Sequence, residues 1–359
     1  MSRLKVAIVG VGNTASAIVQ APFYFKGRDD DSGLGGYKIS DIEYVAAFDV
    51  NSRKVGKDLS EAIFAEPNIT PKFAEVGKLD VKVSGGPVLD GVAAHMVDIV
   101  KPVDRKCSVQ EIADEIKDSG ADVLVNLIPV GSENATKFYA EAALKAGVAF
   151  VNTIPVFIAS NKYWDDKFRE KSLPLLGDDI KGQIGATILH RTLTRLFRLR
   201  NVKVIQTYQL NVGGNADFLN LMDEDRLVSK RISKTEAVTS LLPYNIGVRI
   251  GPSDYIPFLG NTKVAYIYFR GESFAGFPVT LDVKLVVDDK SMFAYSAIDA
   301  IRLAKVALDR GEGGAIKEVC AFYFKHPPVQ AESDEEAAEW VKNWLSKPQI
   351  TVPYSHMES

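Results

Sequence analysis

A short apolar run that turns through glycines into helix formers, "RLKVAIVGVGNTASAIVQ", constrains this chain more than any other stretch. Gly10-Val11-Gly12-Asn13-Thr14-Ala15 fits G-x-G-x-x-A, with a strand pattern before it and a helix pattern after it. Gly10 permits the tight turn, Gly12 lets backbone amides approach a pyrophosphate, and Ala15 permits close approach of helix to strand. The context predicts the opening unit of a parallel dinucleotide-binding sheet, with Asn13 and Thr14 at the helix start beside the ligand.

Such a sheet needs an acidic residue at the end of its second strand. "DIEYVAAFDVNSRK" supplies Asp49, whose carboxylate is placed to accept the ribose hydroxyls. Asp49 lies 34 residues beyond Ala15 rather than the usual 20 or so, and the polar, glycine-rich "GRDDDSGLGGYK" accounts for the surplus as an insertion. An acid here favours NAD over NADP, and Arg53 works against that preference. Two further strands follow, "ADVLVNLIP" and "VAFVNTIP", separated by a helix with Ser132 as N-cap and Gly147 as its stop. Asn126, Pro129, Thr153 and Pro155 then fall at carboxyl edges of strands, where ligands bind in open α/β sheets. As plain turn residues they would need no ligand.

Past Pro155 the strand–helix alternation stops. "GDDIKGQIGATILHRTLTRLFRLR" predicts a turn leading into a helix, followed by the β-rich segments "VKVIQTYQLNV", "KVAYIYFRG" and "FPVTLDVKLVVDD". In the last, Phe277, Val279, Leu281, Val283, Leu285 and Val287 alternate with mostly polar residues, the period of a strand with one covered face. The amphipathic "MFAYSAIDAIRLAKVALDRG" leads to the end. The expected fold is therefore α/β, a Rossmann-type dinucleotide-binding domain interrupted by an α+β domain with a mainly antiparallel sheet. The 359 residues are enough for this organisation. Its expected bounds are 1–176 for the dinucleotide-binding domain, 177–290 for a catalytic and oligomerisation domain, and 291–359 for a segment returning to the first.

A net charge of −3 gives no general reason to bind nucleic acid or an anionic membrane, and no apolar run approaches the ~20 residues of a membrane span. "MSRLK" running straight into a strand predicts no secretory signal, and only two cysteines, Cys107 and Cys320, suit a reducing cytoplasm. His95, His190, His326 and His356 form no metal-binding spacing, and no G-x-S-x-G elbow is present. His190, within a helix pattern, is first a structural residue and only second a site candidate.

The β-rich half carries a more specific signal. "GDDIKGQ", "NVGGNADFLNL", "LVSKRISK", "LGNTKVAY", "VVDDKS" and "AFYFKHPP" occur in the order seen in the myo-inositol-phosphate synthases, and "GVGNTASAIVQ" opens the chain as in their short archaeal and bacterial members. The resemblance spans nearly the whole chain. It implies an NAD-dependent conversion of glucose 6-phosphate into 1D-myo-inositol 3-phosphate without net redox change. Oxidation at carbon 5 acidifies carbon 6, the resulting enolate closes the ring on carbon 1, and the hydride is returned. It further implies a cytoplasmic homotetramer built through the β-rich module, acting in inositol and phospholipid biosynthesis. A divalent or a monovalent cation is implied too, and no ligand motif chooses between them.

Position by position, the resemblance implies catalytic roles for Lys230, Lys234, Lys263, Lys325, Asp179 and Asp289. Asp179 would also lie near the nicotinamide, and Asn215, Asp217 and Asn220 would line the substrate pocket. Lys230 would make the main proton transfer with help from Lys234, while Lys263 and Lys325 would stabilise oxyanions. Clustered, buried lysines suit such work, because burial and like charge lower an amine's pKa into a useful range. Any one of these lysines taken alone reads as a solvated surface group, and Asp178 and Asp179 as helix caps. Two departures stand out: Gly182 occupies a phosphate-binding position where relatives carry serine, and Asn261 replaces the aspartate of eukaryotic relatives. A conventional NAD-dependent dehydrogenase of a sugar-like substrate and a non-catalytic NAD-binding regulator are the competing readings.

Overall fold

The computed structural model describes residues 3–347. His356 and the end of the 291–359 segment lie outside them. The apolar runs Leu4–Val9 (β1), Ile42–Asp49 (β2), Val83–Gly85 (β3), Val123–Asn126 (β4), Ala149–Asn152 (β5) and Pro174–Leu176 (β6) all pair in parallel. Their order, β3-β2-β1-β4-β5-β6, reverses between β1 and β4 and leaves a crevice at the carboxyl ends there. Between them run α1 (Asn13–Phe25), the short α2 (Leu59–Ala62) and α3 (Val97–Val100), α4 (Val109–Asp118), α5 (Glu133–Ala146) and α6 (Lys162–Glu170). β4 and β5 are buried at every residue, as expected of parallel strands covered on both faces.

Helix α5 ends at Gly147 in the left-handed conformation, φ 77°. Its start corrects the simple capping expectation. Ser132 holds the N-cap position, but its hydroxyl donates to the Pro129 carbonyl (2.6 Å) and accepts from Arg226 (3.1 Å). The Asp90 carboxylate takes over, accepting from the Asn134 and Ala135 amides at 2.7 and 2.9 Å.

The second sheet comprises Lys203–Gly213 (β7), Gly247–Tyr255 (β8), Thr262–Glu272 (β9) and Pro278–Asp288 (β10) in the order β10-β9-β7-β8. β10/β9 and β9/β7 are antiparallel, whereas β7/β8 is parallel, so the sheet is mixed at one edge. Helix α7 (Ala186–Leu199) covers one face through a core of Ala186, Phe197, Val204, Ala265, Ile267 and Phe269. Val279, Leu281, Val283 and Leu285 lean on that core and are half-buried, because β10 is an edge strand. Phe277 precedes the strand and is 66% exposed, so it does not share their covered face.

Helices α8 (Ala216–Asn220) and α9 (Val228–Thr239) lie between β7 and β8. The chain then returns through α10 (Asp289–Asp309), whose buried Ala297, Ile298, Ile301 and Leu303 join the core of the first sheet. Gly314–Ala315 (β11) pairs with β6, and α11 (Lys317–Tyr323) and α12 (Asp334–Leu345) complete the described chain. No helix among the described residues is long and apolar enough to cross a membrane.

Candidate active site

The glycine turn closes tightly over the sheet. Gly10 adopts φ 90°, and a Cβ there would sit 2.9 Å from backbone atoms of Leu127 and Ile128, so only glycine fits. At Gly12 a Cβ would meet nothing within 4 Å, although the residue lines the large cavity at the crevice. Among the described residues no side chain caps the start of α1, which leaves its first-turn amides available to an anion. The Asp49 carboxylate accepts from the Val11 amide (2.6 Å) and the Asn51 amide (2.7 Å), which fixes it at the rim of the same cavity. Arg53 is turned away, donating to the Ile99 carbonyl at 2.7 Å. Behind the turn, buried Lys54 donates to the Val11 carbonyl (2.7 Å) and to Asn68 (2.9 Å). A bare glycine turn, free helix amides and an acid beyond β2 fit the pyrophosphate and ribose of a dinucleotide.

From this end the cavity runs past Pro129, Thr153 and Pro155 to a cluster of amines. Lys230 and Lys234, one turn apart on α9, are 9% and 5% exposed, which rules out the solvated-surface reading. Lys263 enters from β9, where it lies between Gly213 and Val287 on the face that α7 covers. Lys325 arrives from the segment after α11, and all four lysines line the cavity with Asp179, Asp217 and Asp289.

The carboxylates sort the amines. Lys325 donates to Asp179 (2.6 Å) and the Ile180 carbonyl (2.7 Å), while the Ser233 hydroxyl donates to the other Asp179 oxygen at 2.7 Å. Lys230 lies 3.3 Å from Asp217, and Lys263 3.0 Å from Asp289. Among the described residues, Lys234 alone of the four has no carboxylate within ion-pairing distance. Burial, then repulsion by Lys230, Lys263 and Lys325, holds its pKa well below the ordinary lysine value. Burial also lowers Lys325, with Asp179 partly offsetting it. Burial pushes Asp217 and Asp289 up, but the lysines win: Asp217 falls to about 2 under Lys230 and Lys290, and Asp289 lies well below its usual value under Lys263 and Lys290.

Two expected contacts lie outside the cavity wall. Asn126 is fully buried and spends its amide on Asn152 (3.0 Å) and Thr136 (3.3 Å), while its neighbours Leu127 to Pro129 meet the cavity. Asn215 caps α8 and donates to Asp289 at 3.3 Å, so it supports the site from behind. Asn220 does line the cavity, with its amide donating to the Val130 carbonyl. At Gly182 the atoms nearest to a Cβ would be those of Met292, in ordinary contact at 3.5 Å, so the missing hydroxyl is not imposed by crowding. Asn261 is buried, and its Nδ2 has no hydrogen-bond partner among the described residues.

His190 stands apart from the cavity, buried between Gln209 (3.2 Å) and Thr207 (2.8 Å) and edge-on to Phe269; burial lowers its pKa to about 4. Asp178 is not a helix cap either. It accepts from Asn152 and from the amides of Ile158, Ala159 and Ser160, and burial raises it to about 6. Motif reading missed Lys290, which lines the cavity beside Asp289. It also missed Lys181, whose bond to Asp334 (2.8 Å), shared with Arg191 (3.3 Å), ties α12 to the turn before α7. Both lie inside quoted motifs, "VVDDKS" and "GDDIKGQ", in which the aspartates and not the lysines carry the expected roles.

A Rossmann-ordered sheet whose crevice opens onto buried, mutually repelling amines is the architecture of an α/β enzyme with a cationic site at the carboxyl ends of its strands. Residues 185–290 match the sequence model of the family described as myo-inositol-1-phosphate synthase. The chain is 46% identical over 351 residues to the inositol-3-phosphate synthase of Mycolicibacterium smegmatis, covering 94% of this chain and 96% of that one. Identity to the inositol-3-phosphate synthase of Corynebacterium glutamicum is also 46%, over 349 residues, 93% of this chain and 96% of the relative. This chain belongs to the myo-inositol-1-phosphate synthase family and is an enzyme of that type. A myo-inositol-1-phosphate synthase-related protein from Thermotoga maritima superposes with a TM-score of 0.78 at 27% identity, covering 96% of this chain and 98% of the other. The inositol-3-phosphate synthase of Caenorhabditis elegans shares the fold, with a TM-score of 0.73 at 15% identity over 96% of this chain and 86% of its own.

Proposed function

We propose that this enzyme converts D-glucose 6-phosphate into 1D-myo-inositol 3-phosphate with NAD as a recycled cofactor. The observation that carries this reading is the continuity of the glycine-turn crevice with the lysine cluster, in one cavity. Gly10, Gly12, Asn13 and Thr14 would hold the pyrophosphate, and Asp49 the ribose hydroxyls, which Arg53's turn towards Ile99 leaves unopposed. Bound NAD would supply a hydride acceptor for carbon 5 and return that hydride at the end.

The protein's own residues would handle protons and charge. Lys234, buried and unpaired, is best suited to accept the proton of the carbon-5 hydroxyl, a division of labour that gives it the part first expected of Lys230. Lys230, Lys263 and Lys325, each held by a carboxylate, would be fixed beside oxygens that become negative at carbons 5 and 1. With Lys290, four amines besides Lys234 face three carboxylates, and the positive excess suits a phosphate dianion. No group of three or more histidine, cysteine or carboxylate side chains among the described residues could hold a metal ion. Any divalent or monovalent cation would therefore need ligands of another kind, or the substrate's own oxygens.

The division at 176 and 290 follows β6 and the start of α10, and the functional unit would be a homotetramer. Its support is the uncovered face of the second sheet, where Tyr208, Leu210, Tyr266 and Val286 are 36%, 38%, 44% and 54% exposed. A cytoplasmic place, and a role in supplying inositol for phospholipids, accord with the substrate.

Incubation with glucose 6-phosphate and catalytic NAD tests the reading. The expected product by NMR is an inositol phosphate without accumulating NADH. Stoichiometric NADH would instead establish a conventional dehydrogenase, and no turnover a binding protein. Sedimentation velocity tests the tetramer.

A further inference from the structure

Charges of alternating sign run in a line through the site: Lys230, Asp217, Lys290, Asp289, Lys263. Successive Nζ–O separations are 3.3, 3.6, 3.1 and 3.0 Å. Lys290 is the centre of this line. It is the second residue of α10, its side chain is 10% exposed, and no motif reading assigned it a part. Among the described residues, Asp217 is the only carboxylate paired with Lys230, and Asp289 the only one paired with Lys263. Whatever competes for those two carboxylates therefore governs how firmly the two outer amines are held.

We propose that Lys290 is a positioning residue, which shares Asp217 and Asp289 with Lys230 and Lys263 and thereby sets how closely those two amines press on Lys234. This rests on reading Lys234 as the group that exchanges the proton. Without the central ammonium, Asp217 and Asp289 repel each other, and each turns its full attraction on its outer lysine. Lys230 and Lys263 are then drawn into tight pairs, and less of their field reaches Lys234. The other charges facing Lys234 are Lys325, from the segment after α11, and Asp179, from the turn after β6. These two pair with each other, and among the described residues the ion-pair partners of Lys290 are Asp217 and Asp289. The carboxylates hold Lys290 protonated above the ordinary lysine range even though burial opposes it, so it acts as a fixed charge and not as a second proton carrier.

The test is amine labelling. Acetic anhydride is applied over a pH series to wild type, Lys290→Met and Lys290→Arg, and acetylation of Lys234 is followed by mass spectrometry. In Lys290→Met the Lys234 amine regains affinity for its proton, so at a given pH below its midpoint labelling slows roughly tenfold for each unit of upward shift. The upper midpoint displaces the ascending limb of the turnover–pH profile with it, and Lys290→Arg restores both towards wild type. If Lys290→Met does not fold, as judged by circular dichroism, Lys290→Gln takes its place in the same comparison. A folded Met or Gln variant with wild-type Lys234 labelling overturns the proposal. Labelling requires no substrate, so a wild type that makes no inositol phosphate sinks the functional reading while leaving this assignment to its own result.

Discussion

Lys325 donates to the Asp179 carboxylate at 2.6 Å across 146 residues of chain. The ion pair closes the site, because Asp179 follows β6 and Lys325 comes from the segment after α11, beyond the return of the chain through α10. Asp179 adopts φ 60°, an unusual conformation for a residue with a side chain, and Ser233 from α9 holds its second oxygen. Three separate stretches thus meet at one carboxylate.

Lys325→Met leaves that carboxylate buried without its cation, and should cost about 3 kcal/mol of stability in urea unfolding. Pairing it with Asp179→Asn should recover most of the loss, since the unpaired charge is gone. Turnover stays low in both variants. A single variant as stable as wild type would mean that the pair is not desolvated in solution.

Lys234→Met separates activity from stability in the opposite direction. Turnover should fall by about 100-fold or more, as for loss of a proton-transfer group. Stability at neutral pH should rise, because the folded state no longer carries a buried amine with a depressed pKa. In wild type the unfolded chain binds that proton more tightly, so stability falls as pH drops from the ordinary lysine value to the folded one. The variant should lose that slope in unfolding measured across alkaline pH. A retained slope would assign it to another amine.

These residues also show where sequence reading stops. The glycine turn and Asp49 are legible because their chemistry is local: spacing along one strand and helix brings them together. The period of β10 was equally open to view, though not that an edge strand buries it only by half. Lys290 stands in the quoted "VVDDKS", but its part was hidden because its second partner, Asp217, comes from another helix. Asn126 and Asn215 lie off the cavity wall for the converse reason. An asparagine at a strand end or helix start looks the same whether its amide faces a cavity or is spent on Asn152 or Asp289. Ser132 obeys the capping rule by position, and Arg226, from a remote segment, takes its hydroxyl.

Asp49→Asn tests the cofactor end. The carboxylate now accepts two backbone amides, and an amide side chain offers only one acceptor oxygen in its place. The Kd for NAD by calorimetry should rise by roughly 10- to 100-fold, the range for a hydrogen bond to a charged group. Preference over NADP should narrow, because the repulsion of a 2′-phosphate by the carboxylate is removed. Unchanged affinity for both cofactors would detach Asp49 from the ribose.

His190 should report on stability and leave the chemistry alone. Its two ring nitrogens meet Thr207 and Gln209 inside the second module, and burial lowers its pKa from 6.5 to about 4. In the folded state the ring therefore stays neutral, whereas the unfolded chain takes up a proton once pH falls below 6.5. The stability present above pH 6.5 is lost progressively as pH drops towards 4, on the order of 3 kcal/mol in all. His190→Gln keeps a polar partner for Thr207 without the titration. Its stability at neutral pH should be lower, from poorer fit beside Phe269, while the decline between pH 6.5 and 4 should flatten. KM for glucose 6-phosphate should stay at the wild-type value, measured where both proteins are folded. A rise in KM with unchanged acid sensitivity would move His190 from the core of the sheet into the reaction.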